Sequence, residues 1–345
     1  MDILANAAGY LNDERSDIMS DQFFLCPICK AVTMLPKCKA CGYDIPCTDS
    51  VWRFCDAPAV KLDGDDKYIG YDDIGLNFEP GAVFDGNAHA QYGVFSACGD
   101  LIAKLYGTNI TVLDVGAGLG AASIPLAKND INVIAADVSA VMLKYAAERA
   151  AERYPNLIFT QMNAYELKIA DSSVDIVVEN AMLHLVDNPK KVLQEMQRVL
   201  KPGGSLIRYG SYGLPVTEEQ AKKNKACSAA VTDISNRYYE YLSEHKFEPI
   251  WFDNHVSDIM GNYFEEPERI RAEGFSEEFT DKMKFRMHRL KTGAHSGLQG
   301  CPKKFLTAAW EYADHYAREK YGEDYINIKG FSHYGAEIIT YKVRK

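Results

Sequence analysis

Four cysteines near the N-terminus have the spacing of a metal site. The segment CPICKAVTMLPKCKACG places two residues within each cysteine pair and eight between the pairs. Two such turns can direct four thiolates at one ion, the closed tetrahedral set that Zn2+ prefers in structural sites. We therefore predict a structural zinc site, with a redox-active CxxC pair or a rubredoxin-like iron site as alternatives. The predicted ligands are Cys26, Cys29, Cys38 and Cys41.

A glycine-rich turn, TVLDVGAGLGAAS, follows an apolar run in the middle of the chain. Glycine lets backbone N–H groups and a helix N-terminus approach a ligand closely, so the turn predicts a cofactor site. Gly116, Gly118 and Ala121 also satisfy the dinucleotide pattern, and Asp137 lies where a ribose-binding acid is expected for either type of cofactor. Asp114 favours a cationic ligand over a pyrophosphate. An NAD-dependent reductase remains an alternative.

Three stretches of the chain resemble the class I S-adenosylmethionine-dependent methyltransferases: VLDVGAGLG, VIAADVSAVML and DSSVDIVVENAMLHLVDNPKKVLQEMQRVLKPGGSL. The resemblance covers residues 111–209 and is closest to the ubiquinone-biosynthesis-like branch, which acts on small molecules. It implies an α/β fold with a doubly wound, seven-stranded Rossmann-like sheet whose last strand is antiparallel. GAEIITYKV near the C-terminus fits that strand. The implied cofactor is S-adenosylmethionine, which carries an ammonium and a sulfonium.

The same resemblance implies a set of cofactor-binding residues. Asp114 and the glycines would surround the amino-acid part of the cofactor, Asp137 would bind the ribose hydroxyls and Val138 would flank the adenine. The family often has an acid after the third strand, where this chain has Asn163, so the amide oxygen would accept from the adenine amino group. The full set is Asp114, Gly116, Ala117, Gly118, Gly120, Asp137, Val138, Met142, Asn163, Ala164, Glu179 and Asn180.

Methyl transfer requires the acceptor atom at near-attack distance from the methyl carbon, and a base where the acceptor is a weak nucleophile. His184 follows a predicted strand at its carboxyl end, where ligands bind in open α/β sheets, so it is the candidate base. A pocket-wall or helix-capping role is the alternative for this histidine. Tyr209 and His255 are further catalytic candidates. Other side chains that could face the substrate are Tyr212, Tyr263, His288 and His295.

Two further features bear on the substrate. Lys284, His288 and Lys291 share one helical face, which either faces solvent or binds an anionic group of a small-molecule substrate. Tyr68 and Tyr71 lie in an acidic, glycine-punctuated stretch, where they either cover a ligand or anchor the chain to the surface.

The elements that position these residues follow from length and periodicity. A chain of 345 residues, 47% of them hydrophobic, is long enough for more than one module. Apolar runs such as INVIAA and VDIVV alternate with amphipathic helices, which predicts a parallel sheet with helices on both faces. We predict a zinc ribbon (1–60), a linker arm and helix (61–110), a cofactor-binding core (111–213), a helical cap over the substrate pocket (214–323) and a terminal strand hairpin (324–345).

Composition excludes several classes. The net charge of -10 argues against a nonspecific nucleic-acid clamp, which needs a surplus of Lys and Arg. The N-terminus lacks the basic start and apolar run of a secretory signal, and no stretch of about eighteen apolar residues could span a membrane. We therefore expect a cytoplasmic protein, whose nine cysteines are ligands or buried thiols.

The sequence thus predicts an S-adenosylmethionine-dependent methyltransferase that acts on a small molecule by in-line transfer. An RNA methyltransferase is the main alternative, because enzymes similar to the ribosomal guanine methyltransferases join a cysteine-rich module to this domain. Residues 2–56 carry five basic side chains against eight acids, whereas an RNA-binding ribbon should be basic. A non-catalytic scaffold that binds a protein partner is a further alternative. The sequence determines neither the acceptor atom nor the oligomeric state.

Overall fold

The computed structural model describes residues 23–72, 91–252, 256–298 and 300–344. The strands are β1 (Phe24–Leu25), β2 (Val32–Thr33), β3 (Cys47–Thr48), β4 (Val51–Arg53), β5 (Val60–Lys61), β6 (Tyr68–Ile69), β7 (Thr111–Val115), β8 (Asn132–Asp137), β9 (Leu157–Gln161), β10 (Val174–Glu179), β11 (Leu200–Gly213), β12 (Glu268–Arg271), β13 (Glu277–Phe279) and β14 (Ser332–Lys342). The helices are α1 (Gln91–Tyr106), α2 (Ser123–Lys128), α3 (Ala140–Ala150), α4 (Pro189–Val199), α5 (Glu218–Glu244), α6 (Val256–Met260), α7 (Lys282–Thr292) and α8 (Lys303–Tyr321).

One mixed sheet organises these elements, in the order β12-β14-β11-β10-β7-β8-β9-β4-β3, with β13 also paired to β14. Neighbours from β9 to β11 run parallel, and β14 runs antiparallel to β11. The predictions of a parallel sheet and of an antiparallel strand near the C-terminus are therefore confirmed. The sheet has ten strands where seven were expected. The additional strands are β3, β4 and β13, each of two or three residues.

Helix starts are encoded locally at both faces of the sheet. The Ser139 hydroxyl caps α3 by accepting from the Met142 N–H at 3.1 Å. Asn188 caps α4, and Pro189 occupies its first turn, where the missing N–H costs no intrahelical bond. Helix α4 then buries its apolar face beside β11. These caps fix where each helix begins, just past the carboxyl ends of β8 and β10.

The N-terminal module shares the main core instead of forming a separate ribbon. Strand β4, which belongs to the segment predicted as a zinc ribbon (1–60), pairs in parallel with β9. Phe24 and Phe54 stack with ring centroids 5.0 Å apart and pack in the same apolar cluster as Leu113 of β7. A cysteine-rich segment this short buries too little apolar surface for a core of its own. It is therefore built onto the sheet edge.

The segment predicted as a helical cap, 214–323, is only partly helical. Helices α5, α7 and α8 enclose a separate apolar cluster. The small residues Ala309, Ala313 and Ala317 recur on one face of α8 and are fully buried against it. Strands β12 and β13 leave this layer and join β14 of the sheet. Over the part of the chain that the structure covers, no helix combines the length and apolarity needed to cross a membrane.

Candidate functional site

A cavity of about 580 Å3 opens beyond the carboxyl ends of β7, β8 and β9. Three parts of the chain line it. The core wall lies within residues 115–118, 136–142, 162–167 and 181–186; the strap, residues 58–72, contributes Tyr68 and Tyr71; the cap wall consists of Trp251, Arg289 and His295. Carboxyl ends of parallel strands are the usual ligand sites of open α/β sheets.

The glycine turn forms the centre of the core wall. Gly116 has φ +78°, and a Cβ there would lie 2.6 Å from the Met182 side chain. Gly118 has φ +51°, and its N–H donates to Oδ2 of Asp137 at 2.8 Å. Both glycines line the cavity, and the Gly116 N–H donates to the Ala136 carbonyl oxygen at 2.8 Å. Ala117 and Gly120 are not among the described residues that line the cavity.

Asp137 ends β8 with its carboxylate held by the backbone. Oδ1 accepts from the Ser139 N–H and Oδ2 from the Gly118 N–H, each at 2.8 Å. Desolvation raises the pKa of Asp137, against the effect of these two hydrogen bonds. A carboxylate fixed in this way keeps lone pairs directed at the cavity and can accept from vicinal hydroxyls. Val138 and Met142 line the cavity beside it.

Asp114 was expected beside the cofactor. In the structure it lies below the glycine turn and is not among the described residues that line the cavity. Its side chain is 2% exposed and accepts from the Ser123 hydroxyl at 2.5 Å. Burial raises its pKa to about 7, and the charge of Asp137 adds to the effect. Asp114 is therefore a buried group beneath the turn that does not contact the cavity in this structure.

Glu179 and Asn180, at the end of β10, are positioning groups in this structure. Glu179 is fully buried; its Oε1 accepts from the Met182 and Leu183 N–H groups at 2.8 and 3.1 Å. Its Oε2 pairs with Nε of Arg208 at 2.8 Å. Asn180 Oδ1 accepts from the backbone N–H of β11 at residue 209, at 2.8 Å. Both residues lie outside the described lining, and they fix the turn that carries Met182 to the cavity.

Asn163 and Ala164 continue the core wall after β9. The Asn163 side-chain oxygen accepts from the Tyr165 N–H at 3.0 Å, closing an Asx turn. The oxygen expected to accept from an adenine amino group therefore already has one backbone donor. Its second lone pair remains available for a ligand.

The three catalytic candidates have different positions. His184 lies at the cavity on the turn after β10, and burial lowers its pKa, so the ring is neutral near pH 7 and can accept a proton. Tyr209 lies on the opposite face of β11, where its ring packs 5.4 Å from that of Phe95, and burial raises the pKa of its phenol strongly. Side chains alternate along a strand, so Arg208 faces Glu179 while Tyr209 faces away. His255 lies outside the described residues.

The strap crosses the mouth of the cavity. Tyr68 is 5% exposed, and its hydroxyl donates to the Pro58 carbonyl oxygen at 2.8 Å. The Lys67 N–H donates to Oδ1 of Asp187 at 2.8 Å, which ties the strap to the N-terminus of α4. A Cβ at Gly70 would lie 2.3 Å from the Ala59 carbonyl oxygen, so only glycine allows this close return of the chain. Tyr68 and Tyr71 both line the cavity, which is the position expected of residues that cover a ligand.

The cap wall contains residues that sequence patterns did not single out. Trp251 and Arg289 had no motif or periodicity to mark them, and His295 was one candidate among several. The rings of Trp251 and His295 meet edge-to-face at 5.3 Å. Burial lowers the pKa of His295 to about 4, assisted by the charges of Arg289 and Arg286. The basic helical face faces solvent, which was one of its two expected positions. Its residues are exposed and are not among those that line the cavity: Lys284, His288 and Lys291. Tyr212 and Tyr263 also lie outside that lining.

The four cysteines of the N-terminal pairs form a second site. Their sulfur atoms all lie within 4.8 Å of one another. The Sγ atoms of Cys26 and Cys41, and those of Cys29 and Cys38, are 3.6 Å apart. A tetrahedral ion with bonds of about 2.3 Å to sulfur requires sulfur–sulfur separations of about 3.8 Å. The cluster is therefore compatible with zinc.

Comparison with known proteins identifies the middle of the chain. Residues 113–208 match the family model of a methyltransferase domain. A demethylmenaquinone methyltransferase of Renibacterium salmoninarum is 44% identical over 96 residues, which are 28% of this chain and 39% of that protein. The tRNA 5-carboxymethoxyuridine methyltransferase of Escherichia coli K12 is 33% identical over 119 residues, 33% of this chain and 46% of that protein. The chain thus spans less than half the length of both relatives.

Among solved structures, a Haemonchus contortus phosphoethanolamine N-methyltransferase in complex with S-adenosylhomocysteine aligns at a TM-score of 0.39 and 16% identity. That alignment covers 78% of this chain and 61% of the other. The family match covers most of the segment from β7 to β11 and contains the core wall of the cavity. Residues 113–208 of the chain therefore form a methyltransferase domain.

Proposed function

We propose that the protein transfers a methyl group from S-adenosylmethionine to a small-molecule acceptor. The observation that supports this most directly is the core wall, where the glycine turn and Asp137 line one end of a cavity that continues to His184 and the cap wall. The relative with the highest identity cited above is named for a small quinone precursor, which favours a small acceptor over RNA.

The chain's own residues account for most of the proposed chemistry. When bound, S-adenosylmethionine supplies an electrophilic methyl group on a sulfonium. The Gly116 and Gly118 backbone and the Asp137 carboxylate bind and orient the cofactor at their end of the cavity. His184, neutral near pH 7, accepts the proton that an oxygen or nitrogen acceptor loses as it attacks the methyl carbon. The strap and the cap wall exclude water from the reacting groups.

We further propose that the four-cysteine cluster holds a structural zinc ion that supports the core wall. Four thiolates leave no open position for catalysis. The Leu25 N–H donates to the Lys168 carbonyl oxygen at 2.9 Å, and the Ala170 N–H to that of Phe23 at 2.7 Å. The module thereby backs the segment that follows Asn163 and Ala164. The metal would act on the cofactor site through this segment.

Isothermal titration with S-adenosylmethionine, S-adenosylhomocysteine and NADH tests the cofactor assignment. We expect binding of the first two and no heat from NADH. Binding of NADH alone would contradict the proposal, and absence of all three would favour a scaffold. Transfer of tritiated methyl from S-adenosylmethionine then tests the acceptor class. Label should enter a low-molecular-mass metabolite fraction; label in total RNA instead would reverse the choice of acceptor.

Variants test the role of His184. We expect His184→Gln to lower kcat by about 100-fold and to remove the acidic limb of the pH–rate profile, as for loss of a general base. Tyr209→Phe is the matched control, because its hydroxyl is buried behind the sheet and should leave kcat within about twofold. An unchanged pH profile in His184→Gln would show that this histidine only lines the cavity.

A further inference from the structure

Arg289 brings a positive charge to the cavity that the described residues do not neutralise. Its Nε donates to the Ala294 carbonyl oxygen at 2.8 Å, and the guanidinium lies 5.8 Å from the centroid of Phe285. No ion pair with a carboxylate of the described ranges forms at Arg289 or at Arg286, one turn earlier. A charge withdrawn from water without a counter-charge is costly, so this end of the cavity favours an anion.

The other titratable groups around the cap wall also favour an anionic ligand. Among the described residues that line the cavity, Asp137 is the one acid, and both its oxygens already accept backbone N–H groups. His184 and His295 face the cavity with lowered pKa values, and each is therefore neutral at pH 7. Arg289 is consequently the strongest charge that the cap presents to a ligand.

The rings beside Arg289 define the shape of the ligand. Trp251 and His295 meet edge-to-face at 5.3 Å, and Tyr71 of the strap lines the same cavity. Aromatic walls of this kind pack best against a planar ring, and a guanidinium binds planar oxyanions through two parallel hydrogen bonds.

We propose that the cap wall binds the anionic group, a carboxylate or phosphate, of an aromatic methyl acceptor, with Arg289 as its specificity-determining residue. The proposal rests on the methyltransferase function proposed above. Arg289 donates to the acceptor's oxyanion while Trp251 and His295 pack on its ring. The opposite end of the acceptor is then directed at His184 and at the cofactor end of the cavity.

Titration of the S-adenosylhomocysteine-saturated protein with benzoate, phenyl phosphate and the neutral benzamide tests the proposal. We expect one of the two anions to bind in the millimolar range, about tenfold tighter than benzamide, as suits fragments of this size. The preferred anion separates the carboxylate from the phosphate. Arg289→Gln should abolish the preference, Arg289→Lys should retain part of it, and Lys284→Gln, which removes an exposed charge from the same helix, should leave it unchanged.

Three results with the fragments would overturn the proposal. They are equal binding of anions and benzamide, absence of binding by both anions, and equal losses in Arg289→Gln and Lys284→Gln. A loss of S-adenosylhomocysteine affinity confined to Arg289→Gln would overturn it as well, since Arg289 would then bind the carboxylate of the cofactor. Failure of the wild type to bind S-adenosylhomocysteine would instead refute the methyltransferase function, which is a separate measurement.

Discussion

The core wall and the cap wall of the cavity are built in opposite ways. The core wall continues directly from strand ends and is fixed by backbone hydrogen bonds, such as that from the Gly116 N–H to the Ala136 carbonyl oxygen at 2.8 Å. The cap wall joins three residues from separate segments, and its Trp251 is 58% exposed. Ring contacts, the hydrogen bond of the Arg289 Nε and a 3.4 Å hydrogen bond from the Gly297 N–H to His295 Nδ1 position its side chains.

This difference suggests a division of labour between a rigid cofactor site and an adjustable acceptor site. A wall made of backbone tolerates few substitutions, because any side chain added there meets fixed atoms. A wall made of side chains on a separate layer can change its residues without disturbing the sheet. We therefore expect substitutions in the core wall to affect cofactor affinity strongly, and substitutions in the cap wall to affect it little.

The largest effect is expected at Gly116. Gly116→Ala combines a strained φ with a Cβ 2.6 Å from the Met182 side chain. Gly107→Ala is the matched control, because Gly107 has φ +76° and nothing within 4 Å of an added Cβ. Both variants carry the same strain of about 1 kcal/mol, and only the first carries the clash. S-adenosylhomocysteine affinity should fall about 100-fold in Gly116→Ala and within about threefold in Gly107→Ala. Equal losses would show that strain alone is responsible.

Removal of the metal should have the next largest effect, since the cysteine module backs the core wall and not the cap wall. We expect Cys38→Ser to lose one zinc ion per chain by elemental analysis and to weaken S-adenosylhomocysteine binding about tenfold. Cys47→Ser, an exposed thiol of the same module outside the cluster, should change neither. Retained affinity after loss of zinc would separate the metal from the cofactor site.

The core wall was largely predictable because its residues are close in sequence. Spacing alone marked the glycine turn and Asp137, and the cysteine pairs identified a cluster whose sulfur atoms do converge. Asn163 was implied by the family resemblance, which places an adenine contact after the third strand. In each case one strand end and one turn determine the position of the side chain, so local sequence contains the necessary information.

The cap wall was not predictable, because packing between distant segments determines which helix face meets the cavity. Helical periodicity grouped Lys284, His288 and Lys291 correctly on one face, but that face is exposed and the neighbouring Arg289 lines the cavity. The same limit applied to Tyr209. The direction of its side chain depends on which face of the sheet helix α1 covers, because its ring packs against Phe95 of that helix. The pairing of β4 with β9 joins residues about a hundred positions apart, beyond any local pattern.

A smaller, pH-dependent effect should come from Asp114. Its folded pKa of about 7 lies above its usual value of 3.8, so the folded state binds the proton more tightly and this group's contribution to stability falls as pH rises from about 4 to about 7. A cationic ligand favours the ionised form, so affinity for S-adenosylmethionine should rise severalfold between pH 6 and pH 8.

Asp114→Asn should flatten both trends. In calorimetry, the wild-type protein without ligand should lose more Tm between pH 5 and pH 8 than the variant. In titration, the variant should bind S-adenosylmethionine with a weaker dependence on pH. Asp137, whose pKa is also raised by burial, contributes a residual slope in both proteins, so the difference between them is the informative quantity. Identical slopes would show that Asp114 does not sense the cofactor.

The smallest effect on the cofactor is expected at Trp251, on the cap wall. Trp251→Ala removes a largely exposed ring that packs against Gly297 and His295, so S-adenosylhomocysteine affinity should stay within about twofold. Binding of the preferred aromatic anion should nevertheless weaken about fivefold, because its ring loses an aromatic partner. Titration of both ligands into the one variant measures the two walls separately. A parallel loss of both affinities would mean that the walls act as a single unit, and the division of labour inferred from their construction would be wrong.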